Sequence, residues 1–117
     1  MTDQELPLSE IVVLARLQAK PGRGAELLAL FSELVPEVLR TEPETLRYAF
    51  YVEPDSEPLR VTVVEKYPSR AALDAHNTGV LTNYLPKLLE LLDGAPETVE
   101  LRPADLAVSD STGRLSL

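Results

Sequence analysis

The 117-residue chain has no cysteine, no tryptophan and a single histidine. The first absence removes disulfides, thiolate metal sites and a cysteine nucleophile together. One histidine among scattered carboxylates does not assemble a transition-metal site, so no metal is expected. Gly22 and Gly24 are too few, and wrongly framed, for a dinucleotide or phosphate loop, and no cofactor is expected either. Basic residues are scarce: 11 Lys and Arg against 19 Asp and Glu give a formal net charge of -8. A negative surface opposes a phosphate backbone, which argues against a nucleic-acid partner. Long apolar runs are missing, so no segment reads as a membrane span. The acidic start MTDQELPLSE has neither a basic region nor a long apolar stretch of the secretory kind, and a cytoplasmic protein is the expectation.

What is present is ordinary globular material, 44% hydrophobic and 26% charged, enough for one small domain that oligomerisation would help. Residues 1–9 read as a flexible polar arm, 10–102 as the domain and 103–117 as a C-terminal tail. Ile11 to Leu17 is almost continuously apolar, the pattern of a strand over Glu10–Ala19 covered on both faces at one end, and Lys20-Pro21-Gly22 breaks it. Leu27, Leu30, Phe31, Leu34 and Val38 recur at helical spacing, so a helix is predicted over Gly24–Leu39, with Pro36 kinking it or ending its hydrogen bonding early. Leu46–Glu53 and Leu59–Tyr67 alternate as a pair of strands. In the first, Tyr48, Phe50 and Val52 oppose Ala49 and Tyr51. In the second, Val61, Val63, Glu65 and Tyr67 oppose Arg60, Thr62, Val64 and Lys66. Ser69 is a good N-cap for a short helix to about Asn77, Gly79 interrupts, and a second helical stretch runs from Val80 to about Leu92. A last strand, Glu97–Arg102, is expected to turn Val99 and Leu101 inward.

The order is β-α-β-β-α-β, an α+β ferredoxin-like arrangement with a four-stranded antiparallel sheet. Helices cover only one face of such a sheet. The other face keeps Ala49, Tyr51, Val64 and part of the first strand, an apolar patch that a second copy of the chain would cover in a homodimer.

Several short segments, taken in order, resemble the antibiotic-biosynthesis-monooxygenase family. They are Ile11-Val12-Val13-Leu14-Ala15-Arg16-Leu17 with Lys20-Pro21-Gly22; Glu42-Pro43 leading to Leu46-Arg47-Tyr48; Glu65-Lys66-Tyr67; and Ala71-Ala72-Leu73-Asp74-Ala75-His76 with Thr78. The resemblance spans about residues 10–95 and implies sheets paired as a dimeric α+β barrel, with a ligand pocket between sheet and helices. It matches Glu65 and Tyr67 to a Glu-x-aromatic signature and His76 to a histidine of the short helix. Where many members carry a His-Phe pair, this chain has Val80-Leu81. Haem-degrading relatives carry an asparagine near the position of Ala15 and an iron-ligating histidine near that of Leu85, and this chain's only histidine is His76.

Glu65 shares a strand face with valines, where a carboxylate needs a partner or a raised pKa. His76 follows Leu73 by three residues and Ala72 by four, which turns it toward the sheet. A Glu65–His76 pair would fix the imidazole tautomer and support proton abstraction, making these the catalytic candidates; the bland alternative is that the pair pins the short helix. Arg16 either binds a substrate oxyanion or forms a salt bridge at the sheet edge. Tyr48, Phe50, Tyr67 and Tyr84 either line an aromatic substrate pocket or simply pack the core. The resemblance ranks a cofactor-independent monooxygenase acting on a small electron-rich aromatic, quinol or anthrone-like, first. A non-catalytic dimer that binds a small aromatic or hydrophobic metabolite, or serves a stress or accessory role, and a cofactor-free isomerase or lactone-handling enzyme remain as alternatives.

Overall fold

The computed structural model describes residues 9–117, so the flexible arm expected at the N-terminus lies almost entirely outside the described residues. Strand β1 (Ile11–Gln18) leads to helix α1 (Gly24–Thr41), then strands β2 (Arg47–Val52) and β3 (Arg60–Tyr67). Helices α2 (Arg70–Thr78) and α3 (Leu81–Leu91) follow, and strand β4 (Glu97–Leu101) closes the order. The four strands lie as β2-β3-β1-β4, every neighbouring pair antiparallel. This is the expected α+β ferredoxin-like sheet, with its second helix split in two.

Period-two alternation decides the two faces. Ile11, Val13, Ala15 and Leu17 of β1, and Val61, Val63, Glu65 and Tyr67 of β3, are buried beneath the helices. Their neighbours Val12, Leu14, Val64 and Lys66 point the other way and are half-buried. The turn after β1 uses Gly22 at φ +75°, in the left-handed region that favours glycine. Helix α1 buries the expected stripe of Leu27, Leu30, Phe31, Leu34 and Val38.

Pro36 does not stop α1, which continues to Thr41. The proline sits on the exposed side, and burial of Leu34 and Val38 on either side of it outweighs the backbone hydrogen bond it cannot donate. Ser69 caps α2 as expected, its hydroxyl accepting from the Ala72 N–H at 3.2 Å. In α3 the buried residues are Leu88 and Leu91, with Leu92 buried just beyond; Val80, Leu81, Tyr84 and Leu85 pack at the core's margin.

Strand β4 corrects one expectation. Register pairs Val12 with Leu101 and Leu14 with Val99, so both β4 side chains lie on the uncovered face, 42% and 48% exposed respectively. Thr98 and Glu100 take the helix side instead. The inward placement failed because two apolar residues in alternation mark one side of a strand without saying which side the helices cover. One row across the uncovered face runs Ala49, Val64, Leu14, Val99 and is apolar throughout. Residues 103–117 hold no helix or strand, and the Lys66 ammonium donates to the backbone oxygen of Leu117.

Candidate functional site

The matching row on the helix side runs Tyr48, Glu65, Val13, Glu100. A cavity of about 200 Å³ lies between this row and the helices. Its walls are mainly apolar, supplied by Phe31 and Leu34 of α1, Leu81, Leu85 and Leu88 of α3, and the inner faces of β1 and β3. The polar residues lining it are Glu65, His76, Asn77, Thr98, Glu100 and Tyr48; no lysine or arginine lines it.

His76, on the inner side of α2, is 2% exposed. Tyr48 meets its ring edge-on at 5.2 Å between centroids and Tyr67 lies tilted at 5.5 Å. The structure therefore brings Glu65 and His76 to one cavity, but not into a hydrogen bond: Nε2 stands 3.7 Å from Glu65 Oε1. The close partner of the ring is Glu42, whose Oε1 lies 2.6 Å from Nδ1. Glu42 follows α1 directly, its own N–H donating to the Val38 carbonyl at 2.8 Å. The Thr45 hydroxyl donates to the same Oε1 at 3.0 Å. The other oxygen, Oε2, is buried without a hydrogen-bond partner and lies against Gly79, where a Cβ would come within 3.0 Å of it.

Glu65 is held from its own strand: the Tyr67 hydroxyl, two residues on, donates to Oε1 at 2.6 Å. Burial pushes the Glu65 carboxyl above its ordinary value of 4.5; the Tyr67 hydrogen bond and His76 oppose that, and Glu42 adds to it. The Tyr48 and Tyr67 hydroxyls are both pushed well above the usual phenol range, first by burial and then by the nearby Glu65. Both therefore stay protonated donors at any physiological pH.

The remaining candidates divide. Phe50 lines the cavity and packs at a tilt against Phe31, with centroids 4.7 Å apart, and edge-on against Tyr48 at 4.9 Å. Tyr67 stands behind Glu65 rather than in the cavity wall. Tyr84 ties α3 to α1, donating to Glu37 at 2.9 Å, outside the cavity. Arg16 is exposed on the opposite face of the sheet, in a polar depression with Gln18, Glu53, Arg60, Asp93 and Glu97. Sequence reasoning passed over Glu42, although one signal pointed to it: extending the buried stripe of α1 four residues past Val38 lands on this position. Among the described residues no group of three or more His, Cys, Asp or Glu side chains is arranged to hold a metal ion, and no helix is long and apolar enough to cross a membrane.

A family model described as antibiotic biosynthesis monooxygenase matches residues 10–80. A solved structure from Shewanella oneidensis is 33% identical, with a TM-score of 0.69, over 80% of this chain and 92% of that one. One from Mycobacterium tuberculosis is 30% identical, with a TM-score of 0.73, over 86% of this chain and 100% of that one. A third, described as an antibiotic biosynthesis monooxygenase, is 28% identical, with a TM-score of 0.72, over 80% and 98% of the two chains. None of the curated proteins matches the chain.

Proposed function

The chain belongs to the antibiotic biosynthesis monooxygenase family, and from that premise we propose that it is a cofactor-independent monooxygenase acting on a small, uncharged, electron-rich phenol. The observation that carries this reading is the joint exposure of His76 and Glu65 to one apolar-walled cavity. A volume near 200 Å³ compares with the roughly 150 Å³ of an engineered cavity that holds benzene. It therefore suits one ring or two fused rings, the quinol end of the expected range; a three-ring anthrone exceeds it. With carboxylates and no cation in its lining, the site disfavours carboxylated or phosphorylated ligands.

In this reading His76 Nε2 takes the phenolic proton, and the Glu65 carboxyl, which has acceptor capacity left beyond the Tyr67 bond, orients a ligand hydroxyl. The phenolate passes one electron to dioxygen. The resulting superoxide and ring radical combine to form a carbon–oxygen bond, and the peroxide recovers the proton from His76. Loss of the ring-carbon proton with cleavage of the O–O bond leaves a quinone carbonyl and one water. Dioxygen is the oxidant, and one of its atoms ends in each product. The protein's share is orientation, deprotonation and exclusion of water.

Oxygen uptake with a panel of simple phenols and naphthols, together with incorporation of label from ¹⁸O₂ into the quinone, tests this. His76→Ala should lower kcat by about 10²- to 10⁴-fold. Unchanged turnover in that variant would sink the mechanism, and proton exchange into a ligand without oxygen uptake would move the assignment to an isomerase.

The uncovered sheet face supports pairing with a second copy of the chain. Its apolar row from Ala49 to Val99, with Tyr51 62% exposed beside it, leaves hydrophobic surface in water that a two-fold partner would bury. Light scattering should return twice the 12.9 kDa chain mass.

A further inference from the structure

His76 has two ring nitrogens in different surroundings, and the structure gives each a different carboxylate. Nδ1 meets Glu42 at 2.6 Å, a distance that requires a proton between the two atoms. Nε2 faces Glu65 at 3.7 Å, too far for a hydrogen bond, on the side where both residues line the cavity. Glu42 lies on the far side of the ring, in a small depression it shares with Thr45, Ala72 and Ala75. It is rigidly placed: its backbone ends α1, Pro43 follows, and the Thr45 hydroxyl holds the same oxygen that meets the imidazole.

We infer that Glu42 is the positioning residue of this site: it keeps the His76 proton on Nδ1, leaves Nε2 bare toward the cavity, and stabilises the imidazolium formed when Nε2 takes a proton. The last of these roles rests on the reaction proposed above; the first two do not. Oε1 of Glu42 accepts two hydrogen bonds while Oε2 is buried and accepts none. A carboxylate with acceptor capacity unmet in a low-dielectric setting gains most when its neighbour becomes a full cation. The groups that face the ring are Glu42 after α1, Glu65 and Tyr67 from β3, and Tyr48 from β2. Of the two carboxylates, only Glu42 has a hydrogen bond to the ring through which to set its tautomer.

Because the protein contains one histidine, ¹⁵N NMR of the labelled chain gives a single pair of imidazole nitrogens, free of assignment ambiguity. At a pH where the ring is neutral, the wild-type protein should show the Nδ1–H tautomer; a proton found on Nε2 overturns the proposal without recourse to any variant. Glu42→Ala should move the pair toward the tautomer mixture of free imidazole, whereas unchanged nitrogen shifts in that variant overturn it. Glu42→Gln keeps an oxygen that accepts from Nδ1–H and removes the charge. It should preserve the tautomer and lower kcat about 10- to 100-fold with KM little changed. A wild-type kcat in Glu42→Gln would show that Glu42 only pins α2. If no phenol is turned over at all, the monooxygenase reading fails while the nitrogen shifts still decide the tautomer.

Discussion

Glu65 pairs across the sheet with Val13 on one side and Tyr48 on the other, and its pKa carries a measurable consequence for the fold. Its carboxyl titrates above 4.5 in the folded chain because burial disfavours the anion. The native state therefore holds the proton to higher pH than the unfolded state does. Stability should fall as pH rises from about 4.5 through the raised native value, and level off beyond it. Glu65→Gln has no such proton to lose. Urea midpoints compared at pH 4.5 and near neutrality should show a smaller decline in the variant than in the wild type; equal declines would mean that the penalty lies elsewhere. The sequence made Glu65 and His76 legible, since a carboxylate among valines and a histidine on an apolar helix face both demand an explanation. It did not make their relation legible. The imidazole's close partner is 34 positions away, after a different helix, and side-chain distances across elements have no signature in periodicity.

At the scale of elements, two small features hold the helices in place. Gly79 divides α2 from α3, and any side chain there would meet the Ala75 carbonyl at 2.9 Å and Glu42 Oε2 at 3.0 Å. Gly79→Ala should cost about 1–3 kcal/mol by overpacking, read from denaturant unfolding, and should displace Glu42 from His76, read from the same nitrogen signals. Pro36 offers the opposite case. It is exposed inside α1, so Pro36→Ala restores a helical N–H donor without touching the core and should raise stability by about 1–2 kcal/mol. Element order and the buried stripe of α1 were readable because each depends on local spacing. The run of α1 through Pro36 and the outward turn of β4 were not, because both are settled by what the rest of the fold packs against them.

For the molecule as a whole, the two sheet faces carry different duties: one row of side chains lines the cavity, and the next row over faces outward. If the outward face joins two copies, a charge placed in the apolar row should separate them. Val64→Glu puts a carboxylate on that face, where burial against a partner would leave it unpaired. Light scattering should then report the mass of a single chain, with circular dichroism and the His76 nitrogen shifts unchanged.

Every residue of β4 is exposed, including Thr98 and Glu100, which line the cavity from the helix side. Arg70, at the start of α2 and outside the cavity lining, meets Glu100 at 2.6 Å. Both side chains are about half exposed, and such pairs add little to folding stability. The consequence is kinetic. If the proposed ligand enters beside Glu100, its arrival and departure run past a contact that salt screens and thermal motion breaks; Arg70→Ala should then speed both rates in stopped-flow binding while leaving their ratio and the unfolding midpoint nearly untouched.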